Sequence, residues 1–133
     1  MDYFNILFEL TKKAYKKNEV PIAAIIVSKN KIISTAFNKR HNKNDVLGHA
    51  EIIAIKKATK KLKTWHLVDC DLYVTVEPCK MCKNIIEEAK IKNVYYFLKN
   101  PKVKLNKTKY TFITNEKSHL LKKQIQNFFK TKR

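Results

Sequence analysis

The unbroken apolar run Ile22-Ala23-Ala24-Ile25-Ile26-Val27 is the feature that most limits how this chain can fold. It opens after Pro21, is rich in β-branched residues and is short, so it reads as a buried strand rather than a helix. Lys29-Asn30 then offers a turn, and residues 32–37 return as the antiparallel neighbour. The two strands form a hairpin.

The segments around this hairpin alternate in period. Phe4, Leu7, Phe8, Ala14 and Tyr15 recur at roughly helical spacing and predict an amphipathic first helix. Residues 38–47 are polar and irregular, and they deliver the chain to a helix over 48–62 with Ala50, Ala54 and Ala58 in register. Residues 72–76 read as a short strand, and Pro78 stands where a helix over 79–90 begins. Strands follow at 94–98 and 110–114, and Leu121, Ile125, Phe128 and Phe129 give a last helix its apolar stripe. This order predicts an α/β fold with helices on both faces of a mixed five-stranded sheet. With no repeat and no dividing linker, residues 1–133 are expected to form one domain, and the Lys-rich segment 101–109 a mobile surface loop.

The formal net charge of +18 favours a polyanion as partner, because clustered cations attract phosphate and release its counterions. A codon bias towards A and T explains the same excess, since only Arg40 and Arg133 are arginine and Gly48 is the sole glycine. The distribution is informative either way. Residues 99–133 hold eleven Lys or Arg against the single acid Glu116, which predicts a basic C-terminal surface. No apolar run approaches the roughly 18 residues of a membrane span. The first ten residues mix Asp2, Asn5 and Glu9 with apolar side chains, unlike a secretory signal, so a cytoplasmic location is expected. Three cysteines, two of them three positions apart, suit a metal better than a disulfide framework.

His49, Cys79 and Cys82 offer one imidazole and two thiolates, a donor set that zinc prefers, with a fourth position left for water. A structural site is normally closed by a fourth protein ligand, and Cys70, His41, His66 and His119 lack comparable spacing. Cys79 and Cys82 share one face at a predicted helix start, whose positive end favours thiolates. Glu51, two positions after His49, is too close to be presumed a second ligand and reads as a proton carrier beside zinc-activated water. Two buried structural cysteines and a first-turn acid are the bland alternatives, and they leave the combined pattern unexplained.

His49-Ala50-Glu51 followed by Pro78-Cys79-Lys80-Met81-Cys82 resembles the H-x-E and P-C-x-x-C pattern of zinc nucleobase deaminases, members of the cytidine-deaminase superfamily. Over most of its length the chain is similar to the tRNA adenosine deaminases that convert the wobble adenosine to inosine. That resemblance implies a three-layer α/β/α fold, one Zn2+ per chain on His49, Cys79 and Cys82, and hydrolytic attack on C6 of an adenine with Glu51 carrying the proton. It also implies that Asn38 hydrogen-bonds the purine, as a side-chain amide can, and that Val20 and Ala50 help bind substrate. Asn100, Phe128, Phe129 and Lys130 then stand where the anticodon stem-loop is held, although Phe128 and Phe129 also fit a core stripe. A homodimer is implied as well.

Three positions depart from the family pattern: Ala23 where Gly is usual, Gly48 where Ala is usual, and Asn100 where Asp is frequent. The stretch from Asn100 to the last helix is also short. Two rival functions follow from the same residues. One is a deaminase of a free base or nucleotide such as guanine, cytosine or deoxycytidylate, which would bind without steep salt dependence. The other is a noncatalytic zinc-stabilised RNA-binding module, for which Glu51 has no purpose.

Overall fold

The computed structural model describes residues 2–100 and 108–131. In chain order these form α1 (Tyr3–Lys16), β1 (Ala23–Ser28), β2 (Lys31–Phe37), α2 (Ala50–Leu62), β3 (Asp71–Val76), α3 (Lys80–Glu88), β4 (Asn93–Leu98), β5 (Lys109–Phe112) and α4 (Ser118–Thr131). The strands make one sheet in the order β2-β1-β3-β4-β5. β1 runs antiparallel to both β2 and β3, whereas β3, β4 and β5 are parallel to one another.

The apolar run is continuous because β1 is buried on both faces. Ala24 and Ile26 point to one side, into a core with Ala50, Ala54, Ile55 and Ala58 of α2 and Ile86 of α3. Ala23, Ile25 and Val27 point to the other, against Phe4, Leu7 and Ala14 of α1 and Leu121 of α4. Three layers result, as expected from the element order. Burying Ile25 or Ile26 completely stabilises the fold by roughly 1.5–3 kcal/mol each. The hairpin turn falls on Lys29 and Asn30, whose φ values of 51° and 63° match the right-handed twist of the flanking strands.

The boundaries differ from the sequence expectations in instructive ways. α2 starts at Ala50, because His49 keeps an extended backbone (φ −73°, ψ 140°) as the N-cap. Cys79 caps α3 in the same manner, with φ −69° and ψ 171°. β5 ends at Phe112, two positions early. The expected mobile loop falls largely on residues 101–107, which lie outside the described residues.

Register brings the site together. Ala23 pairs with Phe37 and Ala24 with Val74, so the start of β1, the end of β2 and the end of β3 meet at one end of the sheet. The N-termini of α2 and α3 connect to that same end. No described helix is long and apolar enough to cross a membrane.

Candidate metal and catalytic site

His49 and Cys79 cap two different helices, and Cys82 lies in the first turn of α3. His49 Nδ1 is 3.6 Å from Cys82 Sγ and 4.0 Å from Cys79 Sγ. All three ligand atoms lie within 4.8 Å of one another, and they are the metal-competent group found among the described residues. Zinc bond lengths of about 2.3 Å to sulfur and about 2.0 Å to nitrogen, opened to a tetrahedral angle, separate the donors by roughly 3.6 Å. The arrangement therefore fits a metal ion. Cys70 is buried just before β3, at the opposite end of the sheet, and takes no part.

The electrostatics push the two thiols in opposite directions. A hydrogen bond from the Cys82 thiol lowers Cys79 to about 5 despite burial, helped by the backbone N–H groups of Cys82 and Met81 and by His49. Cys82, donating to Cys79, buried and facing Glu51, is pushed well above the ordinary thiol range. A cation would take both sulfurs as thiolates, so binding is linked to release of the Cys82 proton. Glu51 is 4% exposed, and burial raises its carboxyl to about 7 while the Cys82 thiol hydrogen-bonds it. A buried carboxyl that titrates near neutrality suits proton transfer.

Asn38 is buried just past β2, where its N–H donates to the Ile22 carbonyl at 3.0 Å. Val20 lies before β1 at the same sheet end, and Ala50 is the fully buried first residue of α2. Asn100 follows β4, and its N–H donates to Glu77 Oε1 at 3.0 Å. Phe128 is corrected to a core position: it is 1% exposed and stands edge-on to Tyr15 and Phe129. Phe129 is 48% exposed and Lys130 is exposed, so these two carry the surface of that segment.

Three supporting residues escaped the sequence reading. Glu19 is fully buried and accepts the His41 and Asn42 N–H groups at 3.1 and 2.7 Å and the Asn42 side-chain amide at 2.8 Å, which ties down the loop between β2 and α2. Glu77 and Lys83 form an ion pair at 3.0 Å behind the cysteine turn, with Lys83 buried and Glu77 partly buried. A legible signal existed for Lys83: it continues the stripe of Cys79, Cys82 and Ile86, where a lysine needs a buried acid.

A family model for MafB19-like deaminases matches residues 1–133. The tRNA-specific adenosine deaminase of Buchnera aphidicola is 38% identical over 98% of this chain and 94% of its own length. Matches to Rickettsia and Aquifex tRNA-specific adenosine deaminases span 59% to 64% of those proteins. A structure from studies of A-to-I editing by tRNA:A34 deaminases superposes with a TM-score of 0.72 at 37% identity, over 74% of this chain and 76% of the other. Guanine deaminase from Bacillus subtilis gives a TM-score of 0.68 at 28% identity, over 100% of this chain and 98% of the other. With a deaminase model covering its whole length and a histidine and two cysteines gathered at paired helix starts, the chain belongs to the MafB19-like deaminase family and groups with the tRNA-specific adenosine deaminases.

Proposed function

We propose that this chain hydrolytically deaminates adenosine to inosine at the wobble position of a tRNA anticodon. The observation that carries the reading is the His49, Cys79 and Cys82 cluster with Glu51 buried beside it, in a chain 38% identical along nearly its whole length to a tRNA-specific adenosine deaminase. His49, Cys79 and Cys82 hold one Zn2+ per chain, and residues 1–133 act as a single domain. Zinc, when bound, supplies a Lewis acid that brings the pKa of water to roughly 7.

Glu51 takes a proton from the attacking water and returns it to the departing amino group. A C–O bond forms at C6 of the adenine, the C6–N6 bond breaks, and ammonia leaves behind hypoxanthine. The carboxyl is buried at the start of α2, next to the metal-ligand candidates, which places it for both halves of that transfer. Asn38 orients the purine with its amide, and Val20 and Ala50 border the base. Asn100, Phe129 and Lys130 meet the anticodon stem-loop, Phe129 by stacking and Lys130 through phosphate. A loop base is already partly unpaired, so presenting it costs less than flipping one from a duplex. The enzyme works as a cytoplasmic homodimer.

A second reading, deamination of free guanine, draws on the Bacillus subtilis structure matched along the full chain. One assay separates them. Zinc-loaded protein is incubated with anticodon stem-loops bearing A, C or G at the wobble position, and with free guanine, and products are read by mass spectrometry. Inosine from the A-bearing loop alone is the expected result. Xanthine from guanine, with no inosine, overturns the tRNA reading.

A further inference from the structure

Lys83 is among the largest fully buried side chains of the described residues, at 1% exposure, and it directly follows the ligand candidate Cys82. Burying an ammonium costs several kcal/mol unless it is paired and hydrogen-bonded, and a stray lysine on an exposed helix costs almost nothing. This lysine therefore answers to a specific arrangement. Its Nζ donates to Glu77 Oε2 at 3.0 Å, and it lies 4.2 Å from the Tyr110 ring centroid on β5. The other Glu77 oxygen accepts the Asn100 N–H at 3.0 Å, and the Glu77 N–H donates to the Leu98 carbonyl at 2.8 Å. One carboxylate thus joins the end of β4, the loop after β3 and the second turn of α3.

The bracketed segment is the one that carries both cysteines. Glu77 stands two positions before Cys79, and the Lys83 N–H donates to the Cys79 carbonyl at 2.9 Å. The remaining ligand candidate, His49, comes from a different helix, so the 3.6 and 4.0 Å separations depend on how α3 is seated against the sheet. We propose that Lys83 and Glu77 are a positioning pair that seats the start of α3, and so sets the Cys79 and Cys82 sulfurs at the spacing from His49 that metal binding needs. The proposed role is one of positioning, and it rests on the metal-site reading above.

Cobalt(II) provides a readout independent of turnover. Chelator-stripped wild type, Lys83→Met, Glu77→Gln, the double variant and a Lys80→Met control on the exposed side of α3 are titrated with Co2+. Folding is followed by circular dichroism, affinity by chelator competition, and geometry by the thiolate charge-transfer and d–d bands. The double variant removes both charges at similar volume, so it remains informative where a single variant leaves one buried charge unpaired and fails to fold. Folded variants of the pair should bind Co2+ on the order of tenfold to a hundredfold more weakly, with altered d–d bands, and Lys80→Met should match wild type. A folded double variant with wild-type affinity and spectrum overturns the positioning role while leaving the metal site intact. A wild-type chain that gives no charge-transfer band overturns both.

Discussion

His49 Nδ1 and Cys82 Sγ meet at 3.6 Å although 33 positions separate them in the chain. Neither helix start would present its ligand alone, because α2 and α3 contact through the core they share beneath the sheet. Replacing His49 or Cys82 with alanine should cut the zinc content, measured by mass spectrometry of purified protein, from one ion per chain to near zero. A variant that retains a full equivalent of zinc would show that the ion sits elsewhere.

Glu51→Ala should separate binding from chemistry. The substitution leaves all three ligand candidates in place, so zinc content should stay near one per chain. Turnover of an anticodon stem-loop should fall by at least about 10²- to 10⁴-fold, the usual contribution of a positioned proton carrier. Substantial residual deamination would remove Glu51 from its assigned role.

The raised carboxyl also predicts a pH dependence of the metal-free protein. Because Glu51 titrates near 7 in the fold against an ordinary value of 4.5, the native state holds this proton more tightly than the unfolded chain. Its contribution is fully present below pH 4.5 and is lost as pH rises through 7. Urea unfolding of chelator-treated wild type and Glu51→Gln compares the effect against the background of the opposing Cys79 titration. Relative to the variant, wild type should lose up to about 3 kcal/mol between pH 5 and pH 8. A constant difference across that range would contradict the burial argument.

Gly48 explains one departure from the family pattern. A Cβ there would lie 2.8 Å from the Lys39 carbonyl carbon and 2.9 Å from the Arg40 nitrogen, both backbone atoms that cannot swing aside. Lys39 also donates to the Gly48 carbonyl at 2.8 Å, so the approach is held by a hydrogen bond. Gly48→Ala should therefore destabilise by about 1–3 kcal/mol, read by urea unfolding. An unchanged midpoint would mean that the loop yields freely.

Adjacent aromatics on α4 should behave oppositely. Phe128→Ala, at 1% exposure, should cost about 3–5 kcal/mol of stability without changing the RNA affinity of the folded fraction. Phe129→Ala, at 48% exposure, should barely affect stability and should weaken stem-loop binding by about 1–3 kcal/mol. Equilibrium unfolding and fluorescence anisotropy at fixed salt distinguish the two, and a stability loss confined to Phe129→Ala would reverse the assignment.

Much of this protein follows from local pattern. The run from Ile22 to Val27 demanded a strand covered on both faces, Lys29-Asn30 a tight turn, and the spacing of Ala50, Ala54 and Ala58 a helix face packed closely on the sheet. The donor types at His49, Cys79 and Cys82 pointed to zinc before any distance was known, because ligand chemistry resides in the side chains themselves. Periodicity, however, assigns a residue to a face and does not say what lies opposite. Both Phe128 and Phe129 fit the stripe of α4, and only packing against Tyr15 decided which one is buried. Nor does spacing along the chain reveal that Glu77 faces Lys83, that Glu19 closes on Asn42, or that Gly48 touches Lys39. Those contacts arise when the chain folds back on itself at one sheet end, where the cost of burying charge and the lack of space for a methyl group are set by three-dimensional neighbours that periodicity does not identify.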